Sequence, residues 1–182
     1  MVVKVFVPKL LSTLTLISDI ILAILLVYFL YSVILKNRIN FIESFLELLK
    51  KNALVFAFIV ALTATLGSLF YSEVMGYEPC KLCWLQRIFM YPMVFLFGIA
   101  LRKNDKKIAD YAIVLSIIGA FIAIYHYIIQ MTNYSTACGI NSQTPCTVKY
   151  TLTYGYITIP MMALTAFMLI IILMYLIKSK KD

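Results

Sequence analysis

Residues 82–101 read LCWLQRIFMYPMVFLFGIAL, and this stretch decides the fold class. A helix of that length rises about 30 Å at 1.5 Å per residue, which matches the hydrocarbon thickness of a bilayer. Four more such stretches lie at 10–35, 53–72, 111–131 and 150–177. Only helices and closed barrels satisfy their backbone in lipid, and these runs lack the alternation of barrel strands. The sequence therefore predicts an all-α integral membrane protein with five spanning helices.

The composition agrees with a chain that lives in lipid. Of the 182 residues, 63% are hydrophobic and 13% are charged, against about 45–50% and about 25% in soluble domains. This excludes a disordered chain, which has few apolar residues. It also excludes a disulfide-dense secreted domain, because the chain has only four cysteines.

The net charge of +8 indicates membrane orientation. Eleven of the 16 Lys and Arg residues fall in the loops after the first and third stretches and in the C-terminal tail. Cytoplasmic segments carry such an excess, so we expect these loops in the cytoplasm and the other two outside. The charge then needs no nucleic-acid partner.

The N-terminal part of the chain is expected to be additional to the main domain. Its apolar run is too long for a signal-peptide core, so residues 1–40 are predicted to add a transmembrane helix before a membrane domain at 41–182. Residues 41–51 separate apolar from charged side chains on opposite helical faces. That pattern is typical both of an interfacial helix and of a cytosolic extension of the next span.

Four cysteines lie in two loops that share one side of the membrane. Cys80 and Cys83 come just before the third stretch, and Cys138 and Cys146 lie between the fourth and fifth. The charge bias places both loops outside, where disulfides persist. A Cys-x-x-Cys pair closes too short a ring to stabilise much, and a helix N-terminus favours thiolate, so Cys80 and Cys83 are predicted to be a redox couple.

Two other cysteine chemistries fit the spacing less well. Structural zinc sites usually pair two short knuckles, and Cys138 to Cys146 is too wide for one. Covalent haem attachment needs a histidine directly after the second cysteine, where Trp84 stands instead. No metal is therefore expected.

Three polar residues lie inside the apolar stretches near the cysteines. Arg87, four residues after Cys83, is either a functional group or an arginine that snorkels to the outer headgroups. His126 and Gln130 share a helical face near the outer end of the fourth stretch, at a depth similar to that of Arg87. They either help to hold the polar ring of a membrane-soluble oxidant or are an interfacial pair wetted by headgroups.

Several separated motifs resemble one known family. Residues 78–92, EPCKLCWLQRIFMYP, resemble the signature of the disulfide bond formation protein B (DsbB) family, especially its Gram-positive BdbC-type branch. Further matches are YHY at 125–127, the loop from Cys138 to Pro145 and Cys146, and YGYITIP at 154–160. The resemblance covers about residues 52–177, so it implies a four-transmembrane-helix bundle to which the N-terminal helix is an addition.

The resemblance also implies an activity. Proteins of this family reoxidise an extracytoplasmic thioredoxin-fold dithiol oxidase (DsbA/BdbD-like) and pass the electrons to a quinone, ubiquinone or menaquinone, in the bacterial cytoplasmic membrane. By the same resemblance, Cys138 would form the mixed disulfide with the partner and Cys146 would exchange with Cys80. Cys83 would then interact with the quinone ring.

For the polar residues, the resemblance implies that Arg87 favours the thiolate and the quinone anion, and that His126 and Gln130 line the quinone pocket. The chain departs from the family in two places. Only seven residues separate Cys138 from Cys146, too few for the amphipathic surface helix of the longer proteobacterial loop. The segment before about residue 40 is also outside the usual four-helix core.

Two other functions share some of these features. A vitamin K epoxide reductase-like enzyme also joins four helices, cysteine pairs and quinone chemistry. There, however, the quinone-side Cys-x-x-Cys usually follows the loop pair, whereas here it precedes it. A non-enzymatic membrane protein would use the cysteines only to staple its outer loops. Quinone-dependent reoxidation would separate an enzyme from such a protein.

Overall fold

The computed structural model describes residues 2–35, 40–133 and 144–178. In these ranges the chain forms five long helices: α1 (Val2–Leu35), α2 (Asn40–Leu69), α3 (Lys81–Lys103), α4 (Ile108–Thr132) and α5 (Ile159–Lys178). Each is long and apolar enough to cross a membrane. One π-helical turn, Phe70–Val74, extends α2. The predicted all-α membrane fold is confirmed.

Helices α2 to α5 form a four-helix bundle in which each helix packs against two neighbours, in the order α2, α3, α4, α5 and back to α2. Helix α1 lies outside this ring and packs against α5. The bundle core is built by large side chains of α3 and α5, among them Met93, Phe97 and Phe167, all fully buried. The surface of the bundle keeps many exposed large apolar side chains, as a lipid-facing surface does.

Small residues set the distances between the helices. Ala53, Ala57 and Ala61 recur every four residues on the buried face of α2, which lets neighbouring backbones approach closely. Between α4 and α5, a Cβ on Gly119 would collide with the ring of Phe167, so the glycine makes room for this ring. Close van der Waals packing therefore replaces the hydrophobic driving force that lipid does not supply.

Two boundaries differ from the sequence-based expectation. Helix α5 begins at Ile159 and not near 150, because Thr153 and Ile157 bond each other's backbone at 2.9 Å around Gly155, which has φ +79°. Pro160 then lies in the first turn, where its missing N–H costs nothing. Helix α2 begins at Asn40 and bends at Asn52, with φ −112° and ψ 15°, so a kink separates residues 40–51 from the rest of the helix. Both interpretations of residues 41–51 stay predictions.

Candidate active site

Cys80 and Cys83 lie at the N-terminus of α3. Pro79 precedes the helix, Cys80 is its N-cap residue, and the Cys80 carbonyl accepts the first helical hydrogen bond from the Trp84 N–H at 3.1 Å. The two thiols are free, and their Sγ atoms share a hydrogen bond at 3.2 Å. A disulfide requires about 2.05 Å, so a small movement of either side chain would bring the two sulfur atoms to bonding distance when an oxidant removes two electrons and two protons.

His126 on α4 is directed at Cys80. Its Nε2 lies 3.6 Å from Cys80 Sγ and 3.2 Å from the carbonyl oxygen of Cys146, and its Nδ1 lies 3.1 Å from Gln86 Nε2. An amide nitrogen only donates, so Nδ1 accepts and the neutral ring carries its hydrogen on Nε2. The Nε2–H therefore points towards the Cys80 sulfur and the Cys146 carbonyl.

These contacts change the acidity of Cys80. The hydrogen bond with Cys83 lowers the pKa of the Cys80 thiol to about 4; burial opposes this, and the contacts with His126 support it. The sequence pointed to the helix N-terminus as the cause of a stable thiolate. In the folded chain the largest cause is the neighbouring thiol.

The loop that carries Cys146 is docked beside Cys80. Thr144 Oγ1 donates to Glu78 Oε2 at 2.9 Å, and Tyr150 stacks on Tyr77 with ring centroids 4.5 Å apart. Cys146 is buried and disulfide-bonded, and its carbonyl shares the His126 Nε2 with Cys80. The two outer loops are thus held together next to the end of α3.

A cavity of about 320 Å³ opens beside the redox pair. Its lining is mostly apolar and comes from α1, α2, α3, α5 and the segments that precede α3 and α5, and it includes Cys83, Gln86, Arg87 and Tyr91. The volume lies at the lower end of the range of small-molecule sites. Of the two free thiols, only Cys83 is part of this lining.

Arg87 is held in the wall of the cavity by α2. Its Nε donates to Ser68 Oγ at 3.0 Å, and one terminal nitrogen donates to the Ser68 carbonyl at 3.1 Å. The Tyr91 hydroxyl also donates to Ser68 Oγ, at 3.2 Å. The guanidinium lies 5.2 Å from the ring of Trp84, within cation–π distance. A fixed positive charge therefore lies one turn below Cys83.

The predicted site residues fall into two groups. Arg87 and Cys83 line the cavity, whereas His126 contacts Cys80 on the side of the Cys146 loop. Gln130 donates to the Val148 carbonyl at 2.8 Å, and in the described part of the chain the cavity lining includes neither His126 nor Gln130. Their predicted place in a quinone pocket stays a prediction. Cys138 lies outside the described residues.

Two residues of the candidate site, Gln86 and Ser68, were not predicted from the sequence. Gln86 links His126 to the cavity, and a buried glutamine within an apolar stretch was a usable signal. Ser68 fixes Arg87, but a serine in a transmembrane helix is too common to single out. Tyr91, which also lines the cavity, is hydrogen-bonded to Ser68.

The reduced pair has one further chemical property. The sulfur atoms of Cys80 and Cys83 and a ring nitrogen of His126 lie within 4.8 Å of one another. Thiolate and imidazole are ligands for soft cations such as Zn²⁺. When Cys80 and Cys83 are joined in a disulfide this donor set is lost, so only the reduced pair offers it.

Comparison with known proteins gives a consistent family. Residues 50–177 match the family described as Disulfide bond formation protein DsbB. The chain is 47% identical over 136 residues to disulfide bond formation protein C of Bacillus subtilis (strain 168), a match that covers 72% of this chain and 99% of that protein. It is 44% identical over 135 residues to a probable disulfide formation protein C of Halalkalibacterium halodurans, covering 72% and 96%. No solved structure matches.

Proposed function

Because the chain belongs to the DsbB family, we propose that its four cysteines carry electrons from an extracytoplasmic dithiol protein to a quinone bound in the cavity. The family membership makes the chain a multi-pass oxidoreductase of the bacterial cytoplasmic membrane, which acts in disulfide bond formation by quinone-dependent reoxidation of thiol oxidases. The assignment of roles to individual residues is our proposal. It is carried by one observation: the free pair has one sulfur beside the Cys146 loop and the other in the cavity.

The partner-side step uses the loop disulfide. Cys146 is 2% exposed, so a soluble partner cannot reach its sulfur. The partner's thiolate attacks Cys138, the mixed disulfide forms, and Cys146 leaves as a thiolate. A thioredoxin-fold oxidase of the DsbA/BdbD type fits this role, because its own disulfide is restored when its second thiol resolves the mixed bond.

The next step moves the electrons to the membrane pair. When Cys80 and Cys83 are joined in a disulfide, the Cys146 thiolate attacks Cys80, so that a Cys80–Cys146 bond forms, the Cys80–Cys83 bond breaks and Cys83 leaves as a thiolate in the cavity. Cys138 then re-forms its bond with Cys146 and releases Cys80. The Cys146 carbonyl oxygen and the Cys80 sulfur both contact Nε2 of His126, so Cys146 lies close to Cys80 despite the short loop. This proximity supports the proposed order of exchange.

The cavity fits a quinone headgroup by volume, apolar lining and the Cys83 and Arg87 groups at its wall. When bound, a quinone supplies an acceptor for two electrons and two protons. Arg87 places a fixed positive charge where negative charge develops, and Ser68 prevents its side chain from moving away. His126 holds its Nε2–H towards Cys80 and so adds to the stabilisation of the thiolate by Cys83. Ubiquinone and menaquinone both present the required ring.

The decisive experiment is anaerobic reoxidation of the reduced, purified protein by short-chain ubiquinone and menaquinone analogues. We expect the Cys80–Cys83 disulfide to return in step with loss of quinone absorbance, and Cys83→Ser to abolish both signals. Arg87→Ala should slow the reaction, whereas Arg102→Ala, an exposed arginine at the other end of the same helix, should not. A wild-type protein that stays reduced, or a Cys83→Ser variant that still consumes quinone, would refute the proposal.

The partner can be identified by trapping. In Cys146→Ala, Cys138 has no disulfide partner in its loop, so its thiolate attacks the disulfide of the oxidised partner, one partner sulfur leaves as a thiolate, and a covalent complex through Cys138 should be recovered from membranes after rapid acid quenching. Mass spectrometry should find a thioredoxin-fold protein in that complex, and Cys138→Ala should remove it. Complex formation that persists without Cys138 would contradict the assigned order of the cysteines.

A further inference from the structure

Helix α1 is an addition to the family fold, yet it is attached to the bundle by specific polar contacts. The family match begins at residue 50, after α1 has ended. Ser12 Oγ lies 3.2 Å from Thr153 Oγ1, and Thr13 Oγ1 lies 3.2 Å from the Tyr154 hydroxyl. Both contacts are with the turn that precedes α5, so the N-terminal end of α1 lies on the same side of the bundle as that turn.

Asp19 makes the deepest of these attachments. Its carboxylate accepts hydrogen bonds from Thr165 Oγ1 at 2.7 Å and from the Tyr156 hydroxyl at 3.1 Å. A carboxylate inside a membrane helix is costly unless it is paired, so these two bonds strongly favour one position of α1 against α5. From Ser12 to Asp19, α1 follows α5 in the same direction.

The attached helix forms one side of the cavity beside Cys83. Leu11, Leu14, Thr15 and Ser18 of α1 all belong to its lining. On α2, a Cβ added to Gly67 would lie 3.0 Å from Leu11 Cδ1, so the glycine permits this close approach. Helices α2 and α5 also contribute residues to this lining. Without α1, the cavity would open to lipid between those two helices.

We propose that α1 is the lipid-side wall of the quinone cavity, that Asp19 holds it in place, and that it sets the affinity for quinone. This rests on the proposed function, because it takes the cavity to be the quinone site. Lipid tails are as apolar as the quinone, so an open groove would admit acyl chains as competitors. A closed wall confines the ring beside Cys83 and Arg87 and leaves the tail to exit between helices.

Quinone binding can be measured without turnover through Trp84. It is the only tryptophan of the chain and lies 5.2 Å from the Arg87 guanidinium, so a quinone in the cavity should quench its fluorescence. Ser18→Phe should fill the cavity from the α1 side and raise the quinone Kd about tenfold or more. The matched control is Ala23→Phe, which adds the same side chain at an exposed position of α1 and should leave the Kd unchanged.

The attachment is tested with two substitutions of Asp19. Asp19→Leu removes both acceptors and should raise the Kd, whereas Asp19→Asn keeps one acceptor oxygen for Thr165 and should retain most of the affinity. Should a variant fail to fold, the wild-type protein answers the question by photolabelling. A photoreactive quinone analogue should label the peptide that contains residues 11–18.

The outcomes distinguish a failure of the role of α1 from a failure of the quinone site. One outcome would overturn the role of α1 and leave the quinone site intact. In it, Arg87→Ala weakens the quenching of Trp84 fluorescence by quinone, whereas Ser18→Phe and Asp19→Leu give the same quenching as the Ala23→Phe control. Absence of quenching in the wild type, together with no effect of Arg87→Ala, would overturn the quinone site itself. Labelling of residues 11–18 by a photoreactive phospholipid and not by the quinone analogue would identify lipid as the occupant and refute the inference.

Discussion

Replacing Cys83 by alanine should raise the pKa of Cys80 more than any other single change at the site. The hydrogen bond between the two sulfur atoms, 3.2 Å long, is the largest cause of the low pKa of Cys80, about 4 against an ordinary 9.0. Burial raises the pKa and His126 lowers it by less than Cys83 does. Without the Cys83 thiol, burial and His126 oppose each other, so the pKa should return towards the ordinary range.

The size of the effect decides which measurement is useful. At pH 6 a thiol of pKa 9.0 is about 0.1% ionised and one of pKa 4 is about 99% ionised, a roughly thousandfold difference in thiolate. A less basic thiolate is also a weaker nucleophile, and a Brønsted slope of about 0.4–0.5 cancels roughly a hundred- to three-hundredfold of that gain. Rates at one pH would therefore differ only about three- to tenfold, and the midpoint of the pH profile is the quantity to measure.

The assay is alkylation of Cys80 between pH 3.5 and 8.5, followed peptide by peptide with mass spectrometry. The protein should carry serine at Cys138 and Cys146, so that only the reduced pair reacts. We expect a midpoint near 4 for this protein, a much higher one for Cys83→Ala and an intermediate one for His126→Phe. Cys83→Ser keeps a donor at the same position and should stay close to the low value.

The same pKa has a consequence for stability. A thiol whose pKa is lower in the folded than in the unfolded chain stabilises the fold fully above the ordinary pKa, and this contribution is lost as the pH falls towards about 4. The unfolding temperature of the reduced protein should therefore fall from pH 8 to pH 5 by more than that of Cys83→Ala. A midpoint near 4 in Cys83→Ala would refute the role of the thiol hydrogen bond, and a midpoint near 9 in the unsubstituted pair would refute the stabilised thiolate.

Two further substitutions test the packing of the site and of the bundle. Ser68→Ala removes one of the two hydrogen-bond acceptors of Arg87, and such a bond from a charged donor is worth about 1.5 kcal/mol. The quinone KM should therefore rise about tenfold, while the KM for the thiol partner stays unchanged. An equal rise in both KM values would contradict this role of Ser68. Gly119→Ala should lower the free energy of unfolding by about 1–3 kcal/mol or more, because its Cβ meets the buried Phe167 ring. Gly98→Ala is the control in a thermal melt, since its Cβ would lie 3.6 Å from the nearest side-chain atom. Equal melting temperatures for the two variants would show that the α4–α5 contact adjusts to the added methyl group at little cost in stability.

Several properties of this protein followed from the sequence alone. Spanning stretches, their orientation and the shared side of the two cysteine loops depend on local hydrophobicity and on the charge of short loops, which add up residue by residue. The Cys80 and Cys83 motif likewise carries its chemistry in its spacing and its place before a helix. The family comparison and the five apolar helices confirm the fold class and the activity that these patterns indicated.

The tertiary structure decided which polar side chains meet. The sequence put Arg87 and His126 at similar depth, but the rotation of α3 and α4 directs Arg87 to Ser68 and His126 to Cys80. It also placed α1 against the cavity through Asp19, a residue whose partners lie more than a hundred positions away. In lipid, apolar faces do not by themselves select a partner helix; close approach at small residues and hydrogen bonds between helices do so, and both depend on the relative rotation and depth of whole helices.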